Sequence, residues 1–287
     1  MIVLTRAQWE PLAAAHRERA EAATAAHLAR RARGEKHPVE DFLFEYYGFR
    51  PGHLARWHPG PGVALQDSPE HAGWSGYLTT EGLTRLDVRS YVEKRGATVR
   101  FVRDLLARTH GREARFGCFG LHEWAMVHGL RPGQQRHEDL PLRLGQEQTD
   151  AVVEREQLVC SHLDAYRFFT PSAAPRNAIT PSRERQVELD NPACLHVGMD
   201  LYKWAMKLGP LVDSALVLDC FEHARATRVL DMEASPYDVR PLGYGVVPIE
   251  TPGGKAEYVR RQRELAAGAD ALRGRLLEQL APLTADA

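Results

Sequence analysis

Residues 191–233 read NPACLHVGMDLYKWAMKLGPLVDSALVLDCFEHARATRVLDME. Asn191 is a good N-cap, Pro192 suits a first helical position, and Gly209-Pro210 is a stop signal, so a helix is predicted over Ala193–Leu208. At 3.6 residues per turn, His196, Asp200, Lys203 and Lys207 fall on one stripe. Leu195, Val197, Leu201, Tyr202, Trp204, Ala205 and Met206 cover most of the remaining surface, as expected of a largely buried helix. A second helix is predicted from Asp213 to Glu233. On it Asp219, Glu222 and His223 share a face with Ala226 and Glu233, while Leu218, Phe221, Val229 and Met232 lie opposite. Two mostly apolar helices in series point to a mainly α fold.

Working outward, Thr5 and Gln8 have capping-box spacing ahead of a helix that runs from Trp9 to Arg33 and stops at Gly34. Further helices are expected over Leu86–Thr109, Leu121–His128 and Glu147–Phe169, and a C-terminal one over 255–281, with Leu265, Leu272, Leu276 and Leu280 at helical spacing. Segments 48–80, with Pro51, Pro59, Pro61 and Pro69, and 170–190, with Pro171, Pro175 and Pro181, read as irregular loops. The first holds Trp57, Trp74 and Tyr77, so it should be ordered, and loops of this length in compact domains are often functional. Strand signals are sparse, limited to short runs such as Tyr244–Ile249, with no alternating βα series. The expected architecture is one helical domain over 1–287, a bundle with long Pro/Gly-rich loops. The signatures G-x-G-x-x-G, G-x-x-x-x-G-K-[ST] and G-x-S-x-G are absent from the sequence, so it gives no sign of dinucleotide, P-loop or α/β-hydrolase chemistry.

The 287 residues include 37 Lys and Arg against 38 Asp and Glu, for a net charge of −1. There is thus no overall attraction to phosphate backbones or anionic membranes, and a nucleic-acid contact would need a local patch. Up to position 36, seven basic residues face four acidic ones, which reads as a solvated helix face. The start lacks a signal-peptide pattern, and no stretch approaches a transmembrane span, so a cytoplasmic location with no membrane partner is expected. The four cysteines, Cys118, Cys160, Cys194 and Cys220, are far apart and read as buried thiols rather than a disulfide framework. Each lies within four residues of a histidine.

Polar side chains recur in three further places. Asp219 and His223, at i and i+4, can chelate one metal, or the carboxylate can orient the imidazole as a base. The stretch SHLDAYRFF (161–169) joins His162, Asp164 and Arg167 to Tyr166, Phe168 and Phe169 at a helix end. In HPVEDFLFEYY (37–47), core packing accounts for Phe42, Leu43 and Phe44 but not for His37, Asp41 or Tyr47. Histidine and carboxylate pairs on facing helices are how bundles build metal sites. The spacing predicts that His196, Asp200, Asp219, Glu222 and His223 face one cleft between two adjacent helices.

The strings HPVEDFLFEYYGFRPGHLARWHPG, CSHLDAYRFFTPSAAPRN, CLHVGMDLYKWAMKL and DCFEHARATRVLDMEASPYD resemble a bacterial family carried under the name 3-methyladenine DNA glycosylase, over about Thr5 to Arg263. The resemblance implies excision of alkylated bases by hydrolysis of the N-glycosidic bond, without a cofactor. The partner would be damaged DNA or a nucleobase-like small molecule. Asp219 or Asp164 would then activate water or stabilise charge at the sugar, with Glu222 and His223 beside them. Tyr46, Tyr47, Tyr166 or Trp204 would hold the cationic base by cation–π contact, with His37, Asp41, Arg167 and Lys203 as further binding residues. The hairpin of helix-hairpin-helix glycosylases is only approximated, by Leu208–Val212 ahead of Asp219.

The residue types also fit a helical metal-dependent oxidase or oxygenase, mono- or di-iron and non-haem, acting on a small molecule. Its ligands would be His162, His196, Asp200, Asp219, Glu222 and His223, holding iron, manganese or zinc. The E-x-x-H repeats of ferritin-like proteins are absent from the sequence. A non-catalytic binding module is the third class, and it leaves the polar stripe without a role.

Overall fold

The computed structural model describes residues 1–131, 133–135 and 140–284; the rest of the expected 1–287 domain lies outside that description. Among the described residues the fold is mainly α, with twelve α-helices and one four-stranded sheet. The chain forms two compact units, one from residues 1–107, 201–222 and 271–287, the other from 108–200 and 223–270.

The first unit opens with β1 (Ile2–Leu4) and α1 (Arg6–Ala32). The helix starts at Arg6, three residues ahead of Trp9, directly after the predicted Thr5 cap, whose N–H donates to Gln8 Oε1 at 2.9 Å, and it ends before Gly34, whose φ is +72°. The basic face of α1 is solvated, as expected, with most of its arginines exposed, and several of them pair with acids: Arg19 with Asp219 and Glu222, and Arg30 with the buried Asp41.

Next come α2 (Phe42–Tyr47), α3 (Pro51–Leu54), β2 (Val63–Gln66), α4 (Pro69–Ala72), β3 (Tyr77–Thr80), β4 (Leu83–Leu86) and α5 (Val88–His110). The segment 48–80, expected to be irregular, therefore supplies two strands and two short helices. Sheet order is β1-β2-β4-β3, with β1 parallel to β2 and the other pairs antiparallel. Strands of three or four residues are too short to show an alternating pattern. Glu81 and Gly82, at φ +54° and +76°, make the tight β3–β4 turn with both central residues left-handed. Conversely, Tyr244–Ile249 is not a strand.

The second unit contains α6 (Leu121–Ala125), α7 (Gly145–Arg155), α8 (Leu163–Tyr166) and α9 (Gln186–Leu189). It also takes residues 195–200 of α10 (Leu195–Leu208), 223–233 of α11 (Ser214–Glu233) and 252–270 of α12 (Pro252–Leu280). α10 starts at Leu195, two residues later than expected: Asn191 instead holds the turn ahead of it, its Oδ1 accepting from the Ala193 N–H at 3.2 Å and its carbonyl from the Cys194 N–H at 2.9 Å.

The expected helix over Glu147–Phe169 is broken between α7 and α8. Asn177 holds the break open: its Oδ1 accepts from the Cys160 N–H at 2.8 Å and its Nδ2 donates to the Cys160 carbonyl at 2.9 Å. Leu158 and Cys160 are buried there, so the exposed backbone of an interrupted helix is satisfied by a distant side chain. Trp124, Val152, Phe169, Leu230, Ile249 and Tyr258 are part of the apolar core of this unit. No helix among the described residues is long and apolar enough to cross a membrane.

Candidate functional site

Buried polar side chains from four helices meet inside the second unit. α10 presents His196 and Asp200 one turn apart, α6 presents His122, α11 presents Asp231, and the start of α8 presents His162 and Asp164. His122 Nε2 lies 2.9 Å from Asp231 Oδ1, and His162 Nε2 lies 3.2 Å from Asp200 Oδ2. The His196 ring joins the two pairs, with its centroid 4.4 Å from that of His122 and 5.2 Å from that of His162. In two groups, His122–His196–Asp231 and His162–Asp164–Asp200, one donor atom per residue lies within 4.8 Å of the others.

Those spacings suit a shared ion. With ligand distances of about 2.0–2.2 Å, adjacent ligand atoms around one ion stand about 3–3.5 Å apart. Asp164 is the most accessible of the six, with Arg167 and Arg183 within 4 Å of its carboxylate.

The electrostatics are those of a buried cluster of paired charges. Burial, followed by the neighbouring His122 charge, pushes the His196 pKa well below its usual value, so its imidazole is neutral. Burial also opposes the charged form of His122, yet Asp231 outweighs it and raises the pKa. Asp231 is held far below the usual carboxylate range by His122 and Arg228, against its own burial. Arg228, 1% exposed, contacts Glu123 Oε1 at 2.9 Å and Asp231. Nδ1 of His196 and Nδ1 of His162 are buried with no hydrogen-bond partner. A buried polar atom left unpaired costs about 1–3 kcal/mol, so two in one cluster require an explanation.

Beside the cluster is a cavity of about 20 Å³, lined by His122, His196, Phe169 and the cysteines Cys118, Cys160 and Cys194. It has room for about one water. Burial holds all three thiols protonated, pushing Cys160 up to about 12 and Cys194 well above its usual value. No disulfide forms among these cysteines or Cys220, as the sequence suggested.

No protein-family model, curated protein or solved structure matches this chain.

Of the five residues expected to share one cleft, only His196 and Asp200 enter the cluster. Asp219 and Glu222 belong to the first unit, where both bind Arg19 and Asp219 also meets Arg275 at 2.7 Å. A helical stripe fixes only direction, and here an arginine 200 positions away claims the acids. These are part-exposed ion pairs worth about 0–1 kcal/mol. Asp219→Asn is accordingly expected to shift unfolding by less than about 1 kcal/mol and to leave metal content unchanged, as urea titration and metal analysis would show.

His223 packs between Gly198 and Gly268. A Cβ on Gly268 would lie 3.3 Å from His223 Nδ1, so the glycines admit the ring between α10 and α12.

The expected binding residues are scattered. His37 Nδ1 accepts from the N–H groups of Val39 and Glu40, and Asp41 is buried against Arg30 and His27, so both stabilise a turn. Tyr46 stacks on Phe42, Tyr47 packs on Tyr202, and Trp204 on Phe101. The Lys203 ammonium lies over Trp204, 4.4 Å from the ring centre, and Lys203 is buried. Tyr166 packs on Phe169 and the Arg167 guanidinium on Phe168, in the second unit.

The sequence reading missed His122, Asp231, Glu123 and Arg228. A usable signal existed in R-V-L-D-M (228–232), where two opposite charges three apart interrupt an apolar run. Such charges are almost never buried unless paired.

Proposed function

We propose that the chain is a metal-dependent enzyme acting on a small molecule, with His122, His196 and Asp231 holding one ion and His162, Asp164 and Asp200 a second. The observation that carries this reading is the pair of three-residue groups with donor atoms within 4.8 Å, combined with the partnerless Nδ1 atoms of His196 and His162. Three imidazoles and three carboxylates suit iron(II), manganese(II) or zinc(II) rather than calcium or copper(I). An ion here would supply Lewis acidity and a coordination position for water or dioxygen, the ligands a water-sized cavity admits.

The protein's own contribution is orientation and charge. Neutral His196 offers a lone pair without first losing a proton, whereas His122 must release one. Asp231 is already anionic, and Arg228 with Glu123 fixes its carboxylate, the supporting contact that ligating groups require. The protonated thiols line the cavity without competing as ligands, since only a thiolate binds metal well.

Elemental analysis of protein purified without chelator or histidine tag tests this. At least one equivalent of iron, manganese or zinc is expected, and metal-free protein that fails to take up any of the three would refute the reading. Oxygen consumption by the loaded protein would mark an oxidase, and substrate hydrolysis without oxygen uptake a hydrolase.

Base excision, implied by the family resemblance, is the competing proposal. It is favoured by Asp164 standing at the start of the short helix that also carries Tyr166, whose ring packs on Phe169. Release of alkylated purines from DNA in the presence of chelator, abolished by Asp164→Asn, would support it over the metal reading. Release that requires added metal would not.

A further inference from the structure

A group of cationic and aromatic side chains gathers in the first unit, apart in sequence from the His/Asp cluster. A cavity of about 760 Å³ opens there, the size of pockets that hold small organic ligands. Its lining includes Arg56, His58, Trp74, Tyr91, Lys94 and Arg95, and it contains no aspartate or glutamate.

Within the described residues, Arg56, Lys94 and Arg95 make no salt bridge, although most other arginines of this unit pair with acids. Burial, followed by the charges of His71 and Arg56, lowers His58 to about 3, so it adds no charge but offers a neutral imidazole. An acid-free cavity rimmed by three unmatched cations carries a positive potential that favours an anion.

The walls are built rather than incidental. Buried Ser214 accepts from the His58 N–H at 2.7 Å and donates to the Arg56 carbonyl at 2.9 Å, which pins the backbone that carries both side chains. His58 Nδ1 is 2.9 Å from the Tyr77 hydroxyl, and its ring packs edge-on to Trp74 with centroids 4.9 Å apart. Gly209, at φ +59°, lets Tyr91 press against the chain: a Cβ there would stand 2.5 Å from the phenol oxygen. The half-buried Trp74 indole N–H makes no hydrogen bond among the described residues, and the guanidinium of Arg56 lies 5.8 Å from the ring centre. A flat ring thus has an aromatic platform beside the cations.

We propose that this cavity binds a phosphate ester carrying a flat ring, of the mononucleotide class, with the phosphate on Arg56, Lys94 and Arg95 and the ring against Trp74. The site is independent of the metal reading, because all its residues lie in the first unit.

Calorimetric titration of the full chain with AMP, ribose 5-phosphate and adenosine tests it, alongside Lys94→Ala, Arg56→Ala and the charge-preserving Lys94→Arg. AMP is expected to bind more tightly than ribose 5-phosphate, and adenosine most weakly. Each alanine variant should weaken AMP about tenfold, the loss of one charge-assisted contact, while Lys94→Arg retains most of the affinity. Rising salt should weaken AMP and leave adenosine unchanged. Lys94 and Arg56 are exposed, so the variants should melt with the parent protein in the absence of ligand.

No heat from AMP at millimolar concentration would overturn the proposal. So would adenosine binding as tightly as AMP, or affinities indifferent to both alanine changes. A single-stranded oligonucleotide that binds far more tightly than AMP through the same residues would replace it with a nucleic-acid surface.

Discussion

His196→Ala is expected to lower metal affinity at least about 100-fold, since an imidazole ligand is lost where even supporting contacts are worth about 10–100-fold. Competition against a chromogenic chelator would measure it. His223→Ala, which removes an imidazole outside the cluster, is the control and should retain the metal. Equal retention by both variants would place the ion elsewhere.

The same measurement has a defined pH dependence. His122 has a raised pKa in the folded protein because Asp231 stabilises its cation, and that proton must leave before the nitrogen can ligate. Metal affinity should therefore rise with pH up to the folded pKa of His122, by about tenfold per unit for one displaced proton, and flatten above it. His196, whose pKa is lowered, contributes no such slope at neutral pH.

In the metal-free protein the linkage signs differ. The His122 contribution to stability is fully present below its unfolded pKa and is lost as pH rises through the raised folded value. His196 acts the other way, because the unfolded chain takes up a proton that the folded site refuses. Its effect is loss of stability as pH falls below its ordinary value. Asp231 contributes stability above the ordinary carboxylate range and loses it as pH falls through its depressed folded pKa.

Arg228→Met should destabilise the protein by about 3–5 kcal/mol. Arg228 is 1% exposed and contacts both Glu123 and Asp231, so a methionine of similar length keeps the packing but leaves two buried carboxylates facing each other. Equilibrium urea unfolding of metal-free protein would measure the loss. Added metal should restore part of it, since an ion on Asp231 replaces some of the missing positive charge. A change below about 1 kcal/mol would mean that the pair is far better solvated than its burial implies.

The sequence alone determined the helical skeleton. The Thr5–Gln8 cap, the Asn191-Pro192 start and the Gly209-Pro210 stop are local signals. They act through backbone geometry within one turn, and α1, α10 and α11 lie within a few residues of where those signals put them. Cysteine spacing likewise foretold free thiols, and composition a buried apolar core.

Tertiary structure decided the rest, because partners distant in sequence chose among local options. β1 and β2 are three- and four-residue strands that exist because they pair with each other, and α7 ends because Asn177 satisfies the backbone beyond it. Helical periodicity placed Asp200 and Asp219 on polar stripes alike. Only packing set Asp200 against His162 in a buried cluster and gave Asp219 to Arg19 at a wet surface. His122 and Asp231 stand 109 positions apart, and no spacing rule links them; their meeting follows from how α6 and α11 bury their apolar neighbours together.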